Sequence, residues 1–198
     1  MKIIGISQNI KVTYYNQLED CLDQNLINLL KLCGFLPIPI PNNLIDKNNN
    51  HNLIGFLENI PFSGFLLSGG NDWGSFEDRD KTEINLIEYS IKKSFPILGI
   101  CRGMQVIAHW AGVGLKRVKG HVNTKHIVRG KREFEVNSYH NFSIKCCPKN
   151  FSIIAKSLDG EIEAIRHSKY NLEGWMWHPE RETDFKLQDI KNIKRLFN

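Results

Sequence analysis

The chain has 198 residues, of which 41% are apolar and 24% charged, with a formal net charge of +5. That length suits one domain with a full hydrophobic core. No unbroken apolar run is long enough to cross a bilayer, and Met1–Gly5 runs directly into a strand pattern without a signal peptide, so a cytoplasmic protein is expected. The five cysteines are scattered, include the adjacent Cys146 and Cys147, and form neither a disulfide framework nor a paired C-x-x-C zinc motif.

The elements alternate. Residues 3–7 form an apolar strand. A helical pattern is expected over about 18–32, with Leu18, Cys21, Leu22, Leu26, Leu29 and Leu30 on one face. Leu36–Ile40 is a strand whose prolines suit an edge. The tract Asp46–Asn50 reads as an exposed loop. Phe65–Leu67 is a buried strand ending at Ser68-Gly69-Gly70-Asn71-Asp72, and Thr82–Lys93 is an amphipathic helix. Ile97–Ile100 is the next strand and Arg102–Trp110 the helix after it. Short alternating stretches follow at His121–Val128, Glu133–Asn137, Ser152–Lys156, Glu161–Arg166 and Leu172–Trp177, and a helix closes the chain over roughly 185–197. This order predicts an α/β fold: a doubly wound, mostly parallel sheet flanked by helices, with additional antiparallel strands, in one domain over 1–198.

Gly99-Ile100-Cys101-Arg102-Gly103 lies between a strand and a helix. It is a nucleophile elbow with cysteine in the serine position. The flanking glycines permit a sharp turn, and the positive helix N-terminus favours a negative sulfur. His178-Pro179-Glu180 supplies a base and an orienting carboxylate, because positions i and i+2 of an extended segment point the same way. The expected catalytic set is therefore Cys101, His178 and Glu180. The backbone N–H groups of Gly70 and Arg102 are the expected oxyanion donors, each worth about 3 kcal/mol in a transition state. His121 and His126 sit in a basic segment without a partner at metal-ligand spacing, so no metal is assigned to them.

These residues resemble the class I glutamine amidotransferase superfamily. Within it, Arg79-Asp80-Lys81-Thr82-Glu83, Val136-Asn137-Ser138-Tyr139-His140 and Asp159-Gly160-Glu161-Ile162-Glu163-Ala164 resemble motifs of its γ-glutamyl-γ-aminobutyrate hydrolase branch. Asn141 departs from that branch's usual His or Gln. The segments Leu67–Asp72, Ser138–Phe142 and Met176–Glu182 are most similar to γ-glutamyl-CDP-amidate hydrolases. That resemblance implies cleavage of cytidine diphosphate-glutamine to glutamate and cytidine diphosphoramidate in capsule modification. It implies a γ-glutamyl thioester on Cys101, no metal or organic cofactor, and substrate contacts from Asn71, Gln105, Tyr139, His140, Asn141 and Phe142. The alternatives are a γ-glutamyl-γ-aminobutyrate-type hydrolase and a glutaminase subunit feeding ammonia to a partner synthase. Residues 116–132 carry seven Lys and Arg and no acid. Lys116, Arg117 and Lys119 suit a diphosphate leaving group, or else belong to a solvated face. No nucleic-acid motif accompanies them.

Overall fold

The computed structural model describes residues 1–45 and 49–198. The strands are β1 (Ile3–Ser7), β2 (Asn9–Val12), β3 (Leu18–Cys21), β4 (Leu36–Ile40), β5 (Phe62–Leu67), β6 (Ile97–Ile100), β7 (Leu115–Arg117), β8 (Val122–Arg129), β9 (Glu133–Tyr139), β10 (Phe142–Ile144), β11 (Phe151–Ser157), β12 (Ile162–His167) and β13 (Leu172–Trp175). The helices are α1 (Gln24–Leu32), α2 (His51–Asn59), α3 (Glu77–Lys93), α4 (Arg102–Trp110) and α5 (Leu187–Phe197).

Nine strands form one sheet in the order β4-β1-β5-β6-β13-β12-β11-β8-β9. The first five run parallel, and the pairings from β13 to β9 are antiparallel. The central parallel strands are mostly apolar, as burial on both faces favours, and the buried Glu173 of β13 is paired with Arg166 and Arg195. One face packs Leu26, Leu29 and Leu30 of α1 and Ile193, Leu196 and Phe197 of α5. The other packs Leu53 and Leu57 of α2, Leu86 and Ile87 of α3, and Met104, Val106 and Ile107 of α4. Helices on both faces are the expected doubly wound arrangement. Among the described residues no helix is long and apolar enough to cross a membrane.

Three local expectations are corrected. Residues 18–21 are not helical. They form β3, which hairpins with β2, and Leu18 is exposed. The helix begins only after Asp23, whose carboxylate accepts from the Asn25 N–H at 2.8 Å and caps it. Helix α3 starts five residues before Thr82, with Glu77, Asp78 and Asp80 complementing its N-terminal dipole. Helix α2 has no counterpart in the sequence pattern. Residues 46–48 of the expected Asp46–Asn50 loop lie outside the described residues.

The topology places the site. Strands β5, β6 and β13 are adjacent and parallel, so the residues after them emerge at one edge. Those residues are Ser68–Gly70, Cys101 and Met176–His178, at the carboxyl edge where open α/β sheets bind ligands.

Candidate active site

Cys101 caps α4 with φ 51 and ψ −102, a backbone conformation rare for a residue with a Cβ. Its N–H donates to the Trp175 carbonyl at 2.6 Å, pinning the turn to β13. The glycines allow the sharp turn expected of them, through close approach and not through a positive φ of their own. A Cβ on Gly99 would meet the Gly103 carbonyl carbon at 2.4 Å, and one on Gly103 would meet the Leu67 carbonyl oxygen at 2.2 Å. They let α4 lie directly on β5 and β6, and the positive φ falls on the cysteine itself.

His178 is 2% exposed and held on both sides. Its N–H donates to Asn137 Oδ1 at 2.9 Å, and its carbonyl accepts from Asn137 Nδ2 at 2.8 Å. Its Nδ1 is 2.6 Å from Glu180 Oε1. The extended geometry expected for His178–Glu180 is present only at His178 (φ −108, ψ 91). Pro179–Arg181 then form a 3-10 turn, with proline in the first turn where its missing N–H costs nothing. Burial pushes the His178 imidazole towards neutrality. The negative sulfur of Cys101 and its hydrogen bond, together with Glu180, outweigh that and raise its pKa to about 9.

A cavity of about 300 Å³ opens beside this group, lined by Gly69, Gly70, His178, Glu180, Lys11 and Arg181, with further walls from β2, β3 and α1. Gly70 adopts φ 123, and a Cβ there would strike Asn9 Oδ1 at 2.3 Å. Arg102 is the first residue of α4, so its N–H has no acceptor within the helix.

Behind the loop lies an ionic network that is visible in the sequence only as a motif without a task. Arg79 donates to the Ser68 and Gly69 carbonyls at 2.9 and 2.8 Å and to Asn9 Oδ1 at 2.8 Å. The Arg102 side chain pairs with Asp80 and Glu83, and Glu83 also accepts from Ser7 and Arg79. Burial, and for Arg102 the neighbouring Arg79 charge, lower both guanidinium pKa values. The acids beside them compensate.

The expected substrate residues are placed as follows. Asn71 is engaged within the protein: its amide bonds both backbone groups of Ile10 at 2.9 Å, fastening β2 to the loop. Gln105 donates to the Phe142 carbonyl at 3.0 Å, which also lies 3.1 Å from His140 Nδ1. Tyr139 meets the His178 ring edge-on at 5.8 Å, under the Arg181 guanidinium. Asn141 is exposed, and its carbonyl accepts from Val118.

The basic segment is less free than its sequence suggests. Lys116 pairs with Glu161 at 2.8 Å, Arg129 with Glu133 at 2.6 Å, and Lys125 with Glu182 at 3.6 Å, while Arg117 stacks on Phe142. Glu133 at the start of β9, Glu161 just before β12 and Glu182 after the His178 turn supply the acids that residues 116–132 lack. His121 and His126 likewise gain partners that linear spacing hides: their ring nitrogens lie near Glu163.

The family model for glutamine amidotransferase class-I matches residues 17–193. The chain is 31% identical over 205 residues to the gamma-glutamyl-CDP-amidate hydrolase of Campylobacter jejuni, covering 98% of this chain and 97% of that one. It is 30% identical to a glutamine-hydrolyzing GMP synthase component of Methanococcus aeolicus over 79% of this chain and 84% of the relative. Among solved structures, a Thermoplasma acidophilum protein assigned as a GMP synthase component superposes with TM-score 0.74 at 23% identity, covering 100% and 92% of the two chains. A glutamine amidotransferase from Thermotoga maritima gives 0.66 at 18% identity, covering 98% and 94%. The match spans the strands, the elbow and the His178 turn together, and the chain belongs to the class I glutamine amidotransferase family.

Proposed function

We propose that the protein hydrolyses a γ-glutamyl amide through a γ-glutamyl thioester on Cys101. The observation that carries this reading is the strained Cys101 at the head of α4, at the same sheet edge as a buried His178 whose Nδ1 Glu180 holds at 2.6 Å. The Cys101 thiolate attacks the γ-carbonyl, and the N–H groups of Gly70 and Arg102 hold the developing oxyanion. The C–N bond breaks as His178 protonates the departing nitrogen. Water, deprotonated by His178, then adds to the thioester and releases glutamate and the thiol. No step needs a metal or an organic cofactor.

The substrate proposed is cytidine diphosphate-glutamine, cleaved to glutamate and cytidine diphosphoramidate. Similarity to the Campylobacter jejuni hydrolase along almost the whole of both chains supports it. The proposal extends to a role in capsule modification, which the motif resemblance implies, and to one domain acting in the cytoplasm. The walls of the cavity beside His178 hold two cations, Lys11 and Arg181. They suit a diphosphate better than Lys116 or Arg129, which acids hold at 2.8 and 2.6 Å, whereas Glu180 lies 3.8 Å from Arg181. A glutaminase subunit is the second reading, favoured by similarity to the glutamine-hydrolyzing component of GMP synthase.

Glutamate release from cytidine diphosphate-glutamine, γ-glutamyl-γ-aminobutyrate and free glutamine, with Cys101→Ala as control, tests the assignment. Preference for the nucleotide substrate supports it. Preference for γ-glutamyl-γ-aminobutyrate replaces the leaving group, and activity on glutamine only with an added synthase replaces the function.

A further inference from the structure

The antiparallel half of the sheet gathers four chemistry-bearing side chains from distant parts of the chain. His121 precedes β8, His126 lies within it, His140 follows β9, and Glu163 belongs to β12. Glu163 is fully buried, and its Oε1 lies 3.3 Å from His121 Nδ1, 3.4 Å from His126 Nε2 and 3.5 Å from His140 Nε2. His121 Nδ1 and His140 Nε2 are 3.3 Å apart. Among the described residues, neither Glu163 oxygen nor the buried Nε2 of His126 has a well-aligned hydrogen-bond partner.

The outer nitrogens fix the protons. His140 Nδ1 is 3.1 Å from the Phe142 carbonyl, and His121 Nε2 is 2.9 Å from Asp159 Oδ2. A carbonyl and an ionised carboxylate can only accept. In neutral rings the protons would sit on those outer nitrogens, and the inner nitrogens would turn lone pairs towards Glu163. Buried acceptors facing one another repel unless a cation sits among them.

We propose that His121 Nδ1, His126 Nε2, His140 Nε2 and Glu163 Oε1 bind one divalent transition metal of the zinc class. Metal–ligand distances of about 2.0–2.2 Å in a tetrahedron give ligand–ligand edges of about 3.3–3.6 Å. Four of the tetrahedron's six edges lie in that range, and His126 joins His121 and Glu163 with all three ligand atoms within 4.8 Å of one another. Imidazole held from behind by a carboxylate or a backbone carbonyl is the usual outer shell of such a site. Three imidazoles suit zinc, cobalt or nickel over magnesium or calcium. Four protein ligands leave no open position, so the ion is structural. It ties β8, β9 and β12 together and steadies the Phe142 carbonyl that Gln105 also bonds. The rival occupant is a proton: contact with Glu163 raises His121 to about 9 against burial, which would make the cluster an imidazolium–carboxylate pair.

The test uses the full chain carrying Cys101→Ala, so that the active-site thiol cannot ligate. After dialysis against a chelator it is titrated with Co²⁺ and followed by visible absorption. The expected result is saturation at one equivalent, intense tetrahedral d–d bands, and their displacement by Zn²⁺. His126→Ala should abolish the bands while circular dichroism stays native, and Asp159→Asn should weaken binding about 10- to 100-fold. The parent chain binding no Co²⁺ near stoichiometry overturns the proposal, as do bands that survive in a folded His126→Ala variant. Neither result bears on turnover at Cys101, which the parent variant already lacks.

Discussion

Gly69→Ala should disable the site without removing a reacting group. A Cβ at position 69 would sit 2.5 Å from His178 Cε1, about 0.9 Å inside the 3.4 Å at which ordinary contact begins. The ring cannot retreat with its backbone, because Asn137 holds the His178 N–H and carbonyl at 2.9 and 2.8 Å. It must instead swing, giving up alignment with Cys101 or its 2.6 Å bond to Glu180. A displacement of about 1 Å at a reacting group lowers a rate on the order of 100-fold. Steady-state glutamate release, with thermal unfolding as the control, measures it. The expected result is a drop in kcat near that size with a melting temperature close to the parent's. A folded Gly69→Ala protein with parental kcat would refute the placement of His178 against this loop.

Cys101→Ala should abolish turnover and, by removing the negative sulfur, lower the His178 pKa from about 9, read by NMR titration of the imidazole. The sign of the pH dependence follows. The folded-state pKa of His178 lies above its ordinary 6.5, so its stabilising charge is fully present below about 6.5 and is lost as pH rises through about 9. The acylation rate should fall on that same alkaline limb. Glu180→Gln keeps a hydrogen-bonding group beside His178 but removes the charge, so a pre-steady-state assay should find kcat reduced and not absent. Glu83→Gln leaves Arg79 and Arg102 buried with less compensation, and chemical denaturation should show a loss of about 3–5 kcal/mol.

What the sequence made legible was local. The elbow announces itself because two small residues flank a cysteine between a strand and a helix, and Phe65–Leu67 and Ile97–Ile100 stand out as short apolar runs. The 18–21 hairpin was hidden because Leu18, Cys21 and Leu22 continue a helical spacing that belongs only to α1, and only the Asp23 cap marks the true start. Helix α2 lies behind an Asn-rich tract and contains Gly55, so its pattern is weak. The task of Arg79 and the convergence of His121, His126 and His140 on Glu163 depend on strands far apart in sequence. Only the motifs that supplied Arg79, His140, Asp159 and Glu163 pointed there, and a motif names residues without naming their partners.

The most direct test of the central claim is intact-mass spectrometry after exposure to a diazoketone analogue of glutamine. The account predicts one adduct, a γ-glutamyl group plus one CH2 formed with loss of N2, mapped to the nearly buried Cys101 and not to the exposed Cys146, and absent from Cys101→Ala. An adduct on Cys146 alone, or none at all, would contradict it.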